Sequence, residues 1–268
     1  MRRLTGVAAV LVLAMGLAAC GDDDDDAGEA ATSTTAAAAE FAEYCEESLA
    51  IETVAEPDID FESLSEAELA AELKKFATED LKPLADRLRD SVPAAIASDA
   101  QVLFAALDKI VATGDGGAFE TPEVQAAEAR AHDFDLANCG WGSADVTAAD
   151  YAFQGLPATF EAGPTSFDLT NAGQELHELV ILKKKDGVTE SYDEILALDQ
   201  EEGQSKVDRV GTAFVAQGDT DYVVADLEAG DYLVACFIPV GLTSEDTAPP
   251  ENSPPHFTRG MKAEFKVT

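Results

Sequence analysis

The sequence predicts an α+β multidomain protein, in which a small helical bundle is followed by a β-sandwich. Residues 40–142 carry apolar side chains at helical spacing, with clear signals for helix ends. Residues 145–268 instead carry short apolar or alternating runs between glycine- and proline-containing turns, which is typical of a sandwich. With 268 residues, of which 46% are hydrophobic, the chain is long enough to build two such cores.

The N-terminal segment, residues 1–19, has the pattern of a signal peptide. Two arginines precede an uncharged apolar run from Leu4 to Ala19, which is short for a membrane span. The run ends in Leu17-Ala18-Ala19-Cys20, which resembles the lipobox of bacterial lipoproteins. The resemblance implies that Cys20 becomes the lipidated first residue of the mature chain. An ordinary secretory signal cut nearby is the alternative.

Residues 20–39 are of low complexity and predict a disordered tether. Five consecutive aspartates, Asp22 to Asp26, are followed by a stretch rich in Ala and Thr. A block of like charges repels itself and stays extended. We therefore expect an extracytoplasmic protein of the cell envelope, held to a membrane through the lipid on Cys20.

Acidic residues dominate the composition, since 53 Asp and Glu stand against 17 Lys and Arg and the formal net charge is −36. Binding to nucleic acid or to anionic lipid headgroups requires clustered Lys and Arg. The composition therefore argues against both. Two interpretations stay open: solubility in a salty or crowded extracellular setting, and steering of a cationic partner.

The helical domain, 40–142, is predicted to contain about four helices. Ser65 and Glu68 form a plausible capping box, and Thr121 precedes a proline at the expected start of another helix. Gly114 follows an apolar stripe as a helix end. His132 is interpreted as a surface or capping residue. In the sandwich, Ser191 begins a predicted helical insertion at about 190–200.

Four cysteines divide into three roles. Cys20 is the lipidation site, and Cys45 and Cys139 bracket the helical domain. In an oxidising compartment, two cysteines at the ends of one domain are expected to pair. Cys236 then stands alone in the sandwich, where it is either a buried free thiol or a metal thiolate.

Cys236 shares the sandwich with two of the three histidines of the chain, His177 and His256. Two of the three methionines lie in the predicted signal peptide, which leaves Met261, five positions after His256. Two imidazoles and a thiolate with a weak axial thioether form a blue-copper electron-transfer site. The presence of these four residue types in the sandwich therefore predicts a site for one copper ion.

Residues 145–268 resemble the cupredoxin family of plastocyanin and azurin. The similarity lies in His177 after an Asn-x-Gly turn, in Gly230-x-Tyr232-x3-Cys236 and in the His-x4-Met spacing that ends at Met261. It implies a Greek-key β-sandwich, with His177, Cys236 and His256 as equatorial ligands and Met261 as the axial one. It also implies that His256 lies at the solvent edge and conducts electrons.

The sequence departs from the family pattern at two places. Cys236 and His256 are separated by 19 residues, whereas small cupredoxins place them a few residues apart. Glu178 directly follows His177, and strand alternation predicts that its side chain points away from the site.

These observations predict a membrane-anchored copper protein that carries electrons to or from a redox partner protein. Two alternatives stay open: a copper-handling protein with a copper donor or acceptor as partner, and a metal-free interaction module whose function lies in the helical domain. An enzyme is not expected, because the sequence lacks nucleophile-elbow, P-loop and zinc-protease motifs. Multicopper catalysis needs more than the three histidines present.

Overall fold

A computed structural model describes residues 40–55, 57, 64–243 and 252–268. The predicted signal peptide, tether and lipidation site at Cys20 lie outside the described residues. The chain divides into two compact units, and the division between the main parts falls between Trp141 and Gly142. None of the described helices is long and apolar enough to cross a membrane.

The first unit consists of helices, whose ends follow the sequence signals. Ser65 and Glu68 form the predicted capping box, Thr121 accepts a hydrogen bond from the N–H of Val124, and Gly114 ends its helix at a φ of 74°. A π-helical segment, Ala77–Leu81, joins two of the helices. The helices are α1 Ala42–Glu52, α2 Glu66–Phe76, α3 Lys82–Ser91, α4 Ala97–Thr113 and α5 Pro122–Asn138.

A disulfide between Cys45 and Cys139 joins α1 to the end of α5 in this unit. His132 is only 7% exposed, so its interpretation as a surface or capping residue is wrong. The reason is that α5 turns one face inward, and this face carries His132 and Asp135 together with Val124 and Ala127.

The second unit is a sandwich of a four-stranded sheet, ordered β2-β1-β4-β7, and a five-stranded sheet, ordered β3-β9-β8-β5-β6. Both sheets are mixed, since β1 pairs with β4 and β3 with β9 in parallel. The strands are β1 Gly142–Ala149, β2 Ala152–Gln154, β3 Thr159–Phe160, β4 Gly163–Asn171, β5 His177–Lys184, β6 Val207–Val215, β7 Thr220–Leu227, β8 Gly230–Ala235 and β9 Lys262–Val267.

The predicted fold class, helices followed by a β-sandwich, is confirmed. The predicted insertion consists of two short helices, α6 Tyr192–Leu196 and α7 Gln200–Ser205, and Ser191 caps the first of them. Alternate residues of both sheets fill one core. Cys236 and Met261 belong to this core and are fully buried, so the candidate site is continuous with it.

Candidate metal centre

Strand pairing brings His177 and Cys236 to the same end of the sheet. His177 is the first residue of β5, and Cys236 follows directly after β8. The two strands are antiparallel neighbours, with Val180 opposite Ala235. The beginning of one strand therefore lies beside the end of the other.

The backbone carries His256 and Met261 to the same place. The N–H of Phe257 donates to the carbonyl of Cys236 at 2.9 Å, and the N–H of Cys236 donates to the carbonyl of Met261 at 3.1 Å. A short 3-10 helix, His256–Arg259, spans the distance between the two residues. The N–H of Met261 donates to the carbonyl of His256 at 3.2 Å, so a backbone hydrogen bond joins the two ends of this segment.

The 19 residues between Cys236 and His256 do not separate them in space. Pro239 and Pro255 form an isolated β-bridge, and the N–H of His256 donates to the carbonyl of Ile238 at 2.9 Å. The chain thus leaves and returns at neighbouring points. The intervening residues 244–251 lie outside the described residues.

Three potential ligand atoms converge in this buried place. Nδ1 of His177 lies 3.2 Å from Nδ1 of His256, and Sγ of Cys236 lies 3.3 Å from Nδ1 of His256. All three atoms lie within 4.8 Å of one another. The three side chains and that of Met261 are all 0% exposed.

The outward-facing nitrogen of each imidazole contacts a carboxylate. Nε2 of His177 lies 3.2 Å from Oδ1 of Asp150, and Nε2 of His256 lies 3.0 Å from Oε2 of Glu175. The expectation that His256 lies at the solvent edge is wrong. The Glu175 carboxylate contacts Nε2 of His256 on the outer side. The Tyr151 ring packs edge-on against the His256 ring, with 5.2 Å between the ring centroids.

Several donors besides the imidazoles orient the two carboxylates. Asp150 accepts hydrogen bonds from the backbone N–H groups of Gln174 and Glu175, at 2.9 and 3.4 Å. Glu175 accepts from the Tyr151 hydroxyl at 2.8 Å and from the N–H of Gly241. Asp150 is thus fixed to the loop that precedes β5, and Glu175 is fixed both to the turn after β1 and to the segment that follows β8.

Both carboxylates are held in the ionised form. Burial opposes the charge on Asp150, but hydrogen bonds from two backbone N–H groups and an imidazole outweigh it and hold its pKa below the usual value. The pKa of Glu175 is lowered in the same way, against the effect of burial, by bonds from a backbone N–H, a hydroxyl and an imidazole. An ionised carboxylate can only accept, so each Nε2 carries the proton.

The inner side of the site is therefore rich in lone pairs. Burial, followed by the neighbouring His256 ring, lowers the pKa of His177, which favours its neutral form. Burial raises the pKa of the Cys236 thiol to about 12. The thiol therefore keeps its proton in the metal-free protein. Two Nδ1 lone pairs at 3.2 Å repel each other unless a cation lies between them.

This donor set fits copper. Imidazole nitrogen with thiolate and thioether sulfur is the combination that copper takes in trigonal electron-transfer sites. Metal–nitrogen and metal–sulfur bonds of about 2.0–2.3 Å require donor atoms roughly 3.3–3.8 Å apart in a trigonal arrangement. The separations of 3.2 and 3.3 Å lie close to that range. Metal binding would release the thiol proton.

Glu178 contacts the outer side of the strands. Its carboxylate accepts a hydrogen bond from the N–H of Phe237 at 2.8 Å, while its own N–H donates to Sγ of Cys236 at 3.5 Å. The carboxylate is not part of the converging group formed by His177, Cys236 and His256.

The sequence predicted the four candidate ligands but not the surrounding residues Asp150, Tyr151 and Glu175. One local signal was available: Asp150-Tyr151 stands directly after the alternating run of β1, where a turn is expected, and Tyr151 adopts a positive φ of 68° there. Nothing in the sequence pairs this turn with Glu175, because the contact depends on how the loop after β4 folds back.

Comparisons with solved structures find similarity over about half of the chain. Auracyanin B matches at 19% identity and a TM-score of 0.31, over 47% of this chain and 88% of that chain. Auracyanin A of Chloroflexus aurantiacus, described as a "blue" copper protein, matches at 15% and 0.31, over 48% and 100%. Reduced auracyanin of Roseiflexus castenholzii matches at 14% and 0.29, over 47% and 96%.

Comparisons with protein-family models and with curated proteins found no match. At identities below 20% and TM-scores near 0.3, the structural likeness carries no functional argument.

Proposed function

We propose that this chain is a blue-copper electron carrier of the cell envelope, anchored to a membrane through a lipid on Cys20. The observation that carries the proposal is the convergence of two Nδ1 atoms and one thiol sulfur in a fully buried site, with both Nε2 atoms facing carboxylates on the outer side. Bound copper supplies a one-electron Cu(II)/Cu(I) couple. One ion is proposed, because the described residues contain one such group.

The residues of the chain have separate parts in this function. His177, Cys236 and His256 would hold the ion, and Met261 would be the weak axial ligand. β5 and β8 are interior strands of their sheet, so His177 stands on a strand paired on both sides and Cys236 directly follows another such strand. Complete burial of the donors excludes water from the site. A rigid dry site keeps its geometry on reduction, which favours fast electron transfer.

A reversible reduction experiment tests the proposal against copper delivery. The copper-loaded full-length protein should take up one electron per copper and return it, and should release copper slowly to a competing chelator because the site is buried. Fast exchange without reversible reduction would contradict electron transfer and support delivery. We propose no catalytic role, and expect a redox protein as partner.

The membrane anchor requires its own test. Wild type and Cys20→Ala should be compared by membrane fractionation and by mass spectrometry of the N-terminus. Lipid on Cys20, and release of the variant from the membrane fraction, are the expected results. An unmodified N-terminus in the wild type would contradict the anchor and leave the copper site unaffected.

A further inference from the structure

We propose that Asp150 and Glu175 act as a pair of positioning residues that orient both imidazoles through Nε2 and stabilise Cu(II) relative to Cu(I). The inference rests on the proposed copper site and adds the control of its reduction potential. It starts from a symmetry of the site: each histidine presents Nδ1 inward and contacts one carboxylate outward, at 3.2 Å for Asp150 and 3.0 Å for Glu175.

The pair is built into the fold through two interlocked dipeptides. Asp150-Tyr151 lies in the turn between β1 and β2, and Gln174-Glu175 lies in the loop between β4 and β5. Asp150 accepts from both N–H groups of the second dipeptide. Tyr151 donates in turn to the Glu175 carboxylate at 2.8 Å. Each dipeptide thus provides one carboxylate and donates hydrogen bonds to the carboxylate of the other dipeptide.

Asn171 at the end of β4 and Gly173 in the loop that follows make room for this arrangement. Asn171 is buried, accepts from the N–H of Gly173 at 2.8 Å and donates to the carbonyl of Glu175 at 2.8 Å. A Cβ at Gly173 would lie 2.3 Å from Oδ1 of Asp150 and 2.6 Å from Nε2 of His177. The absence of a side chain at Gly173 therefore permits the contact between Asp150 and His177.

The chemical consequence follows from charge. A carboxylate that accepts from a ligating imidazole orients the ring and increases its basicity. Two such carboxylates place two negative charges one imidazole away from the metal, in a site without exposed donors. Cu(II) carries one more positive charge than Cu(I) and gains more from them. The pair should lower the reduction potential.

The test uses the full-length copper protein. It compares variants that lose only the negative charge with a variant that loses both the charge and the contact to Nε2. In Asp150→Asn and Glu175→Gln, an amide oxygen can still accept from Nε2, so the charge is lost and the contact is kept. Glu175→Leu removes both. Asp231→Asn is the matched control, because Asp231 is exposed and lies five residues before Cys236, roughly 17 Å along the chain.

Two readouts distinguish positioning from a merely structural role. We expect Asp150→Asn and Glu175→Gln each to lower the ratio of Cu(II) to Cu(I), measured at a fixed solution potential, at least tenfold. This change corresponds to a rise in reduction potential of about 59 mV for a one-electron couple. Asp231→Asn should shift it less than twofold. In the metal-free protein, nitrogen-15 spectra should show both imidazoles protonated at Nε2, and Glu175→Leu should lose this preference at His256.

The results separate this inference from the proposed function. Potentials of Asp150→Asn and Glu175→Gln that shift no more than that of Asp231→Asn would overturn the inference, while a blue wild type would leave the copper function standing. Mixed tautomers in the metal-free wild type would overturn it as well. A wild type that binds no copper would remove the proposed function and the inference together.

Discussion

His177 and His256 face each other through their Nδ1 atoms at 3.2 Å, while the Nε2 atom of each contacts a different carboxylate. When both rings are neutral and protonated at Nε2, their Nδ1 lone pairs point at each other. Such a pair needs a proton or a metal ion between its members, and the nearest proton donor is the thiol of Cys236, 3.3 Å from one of them. The predictions below follow from this geometry and from its surroundings.

The axial position can be tested at Met261. Met261→Leu should keep the blue absorption and raise the reduction potential, because it removes an electron pair that favours Cu(II). Met261→Gln should lower the potential, because an amide oxygen is a harder donor. Potentiometric titration of the blue band measures both. Identical potentials in the wild type and both variants would contradict axial ligation by Met261.

Gly173 can be tested by adding a single methyl group. Gly173→Ala places a Cβ against Asp150 and His177, so one of them has to move. We expect weaker copper binding by at least tenfold, measured by competition with a chelator. Gly203→Ala is the matched control in α7, where the nearest atom would lie at 3.3 Å. Equal affinities in the two variants would show that the contact is unimportant for the site.

The disulfide should stabilise the helical unit and leave the copper site unaffected. It closes a loop with a sequence separation of 94 residues, for which the chain-entropy model gives about 4–5 kcal/mol, often less in practice. The double variant Cys45→Ser/Cys139→Ser should therefore lose helical signal at lower denaturant concentration and keep its blue band. Loss of the band in this variant would contradict the independence of the copper site from the disulfide.

Asp135 should make the stability of the helical unit dependent on pH. Burial raises the pKa of this carboxyl, against the hydrogen bond from Ser48 at 2.7 Å. The folded state therefore binds the proton more tightly than the unfolded state does. The free energy of unfolding should fall as pH rises from the ordinary value of 3.8 to the raised folded value.

The variant Asp135→Asn provides the check. The amide can still accept from Ser48 but does not titrate, so this part of the pH dependence should disappear. Denaturant unfolding at several pH values, followed by far-ultraviolet circular dichroism, measures the difference. Equal slopes in wild type and variant would show that Asp135 is ionised as easily in the folded as in the unfolded chain.

Local signals in the sequence predicted the local parts of the structure. The capping box at Ser65, the cap at Thr121 and the helix end at Gly114 depend on a few neighbouring residues, and the structure has each of them. The four ligand candidates were found because His, Cys and Met are rare in this chain. The structure places His177, Cys236 and His256 together.

The contacts that surround the site could not be predicted in this way. His256 is buried because Glu175, 81 residues earlier, reaches its Nε2, and no pattern along the chain encodes such a pair. His132 was misjudged for a related reason. A polar residue on a helix is expected to face solvent, but α5 turns His132 and Asp135 inward together.

The visible absorption spectrum of the full-length protein, loaded with Cu(II) and then reduced, tests the central claim most directly. We predict an intense thiolate-to-copper charge-transfer band that bleaches on reduction and returns on oxidation. The band should be absent in Cys236→Ser and retained in Cys45→Ser/Cys139→Ser. A wild type that stays colourless and binds no copper, or a band that survives in Cys236→Ser, would contradict it.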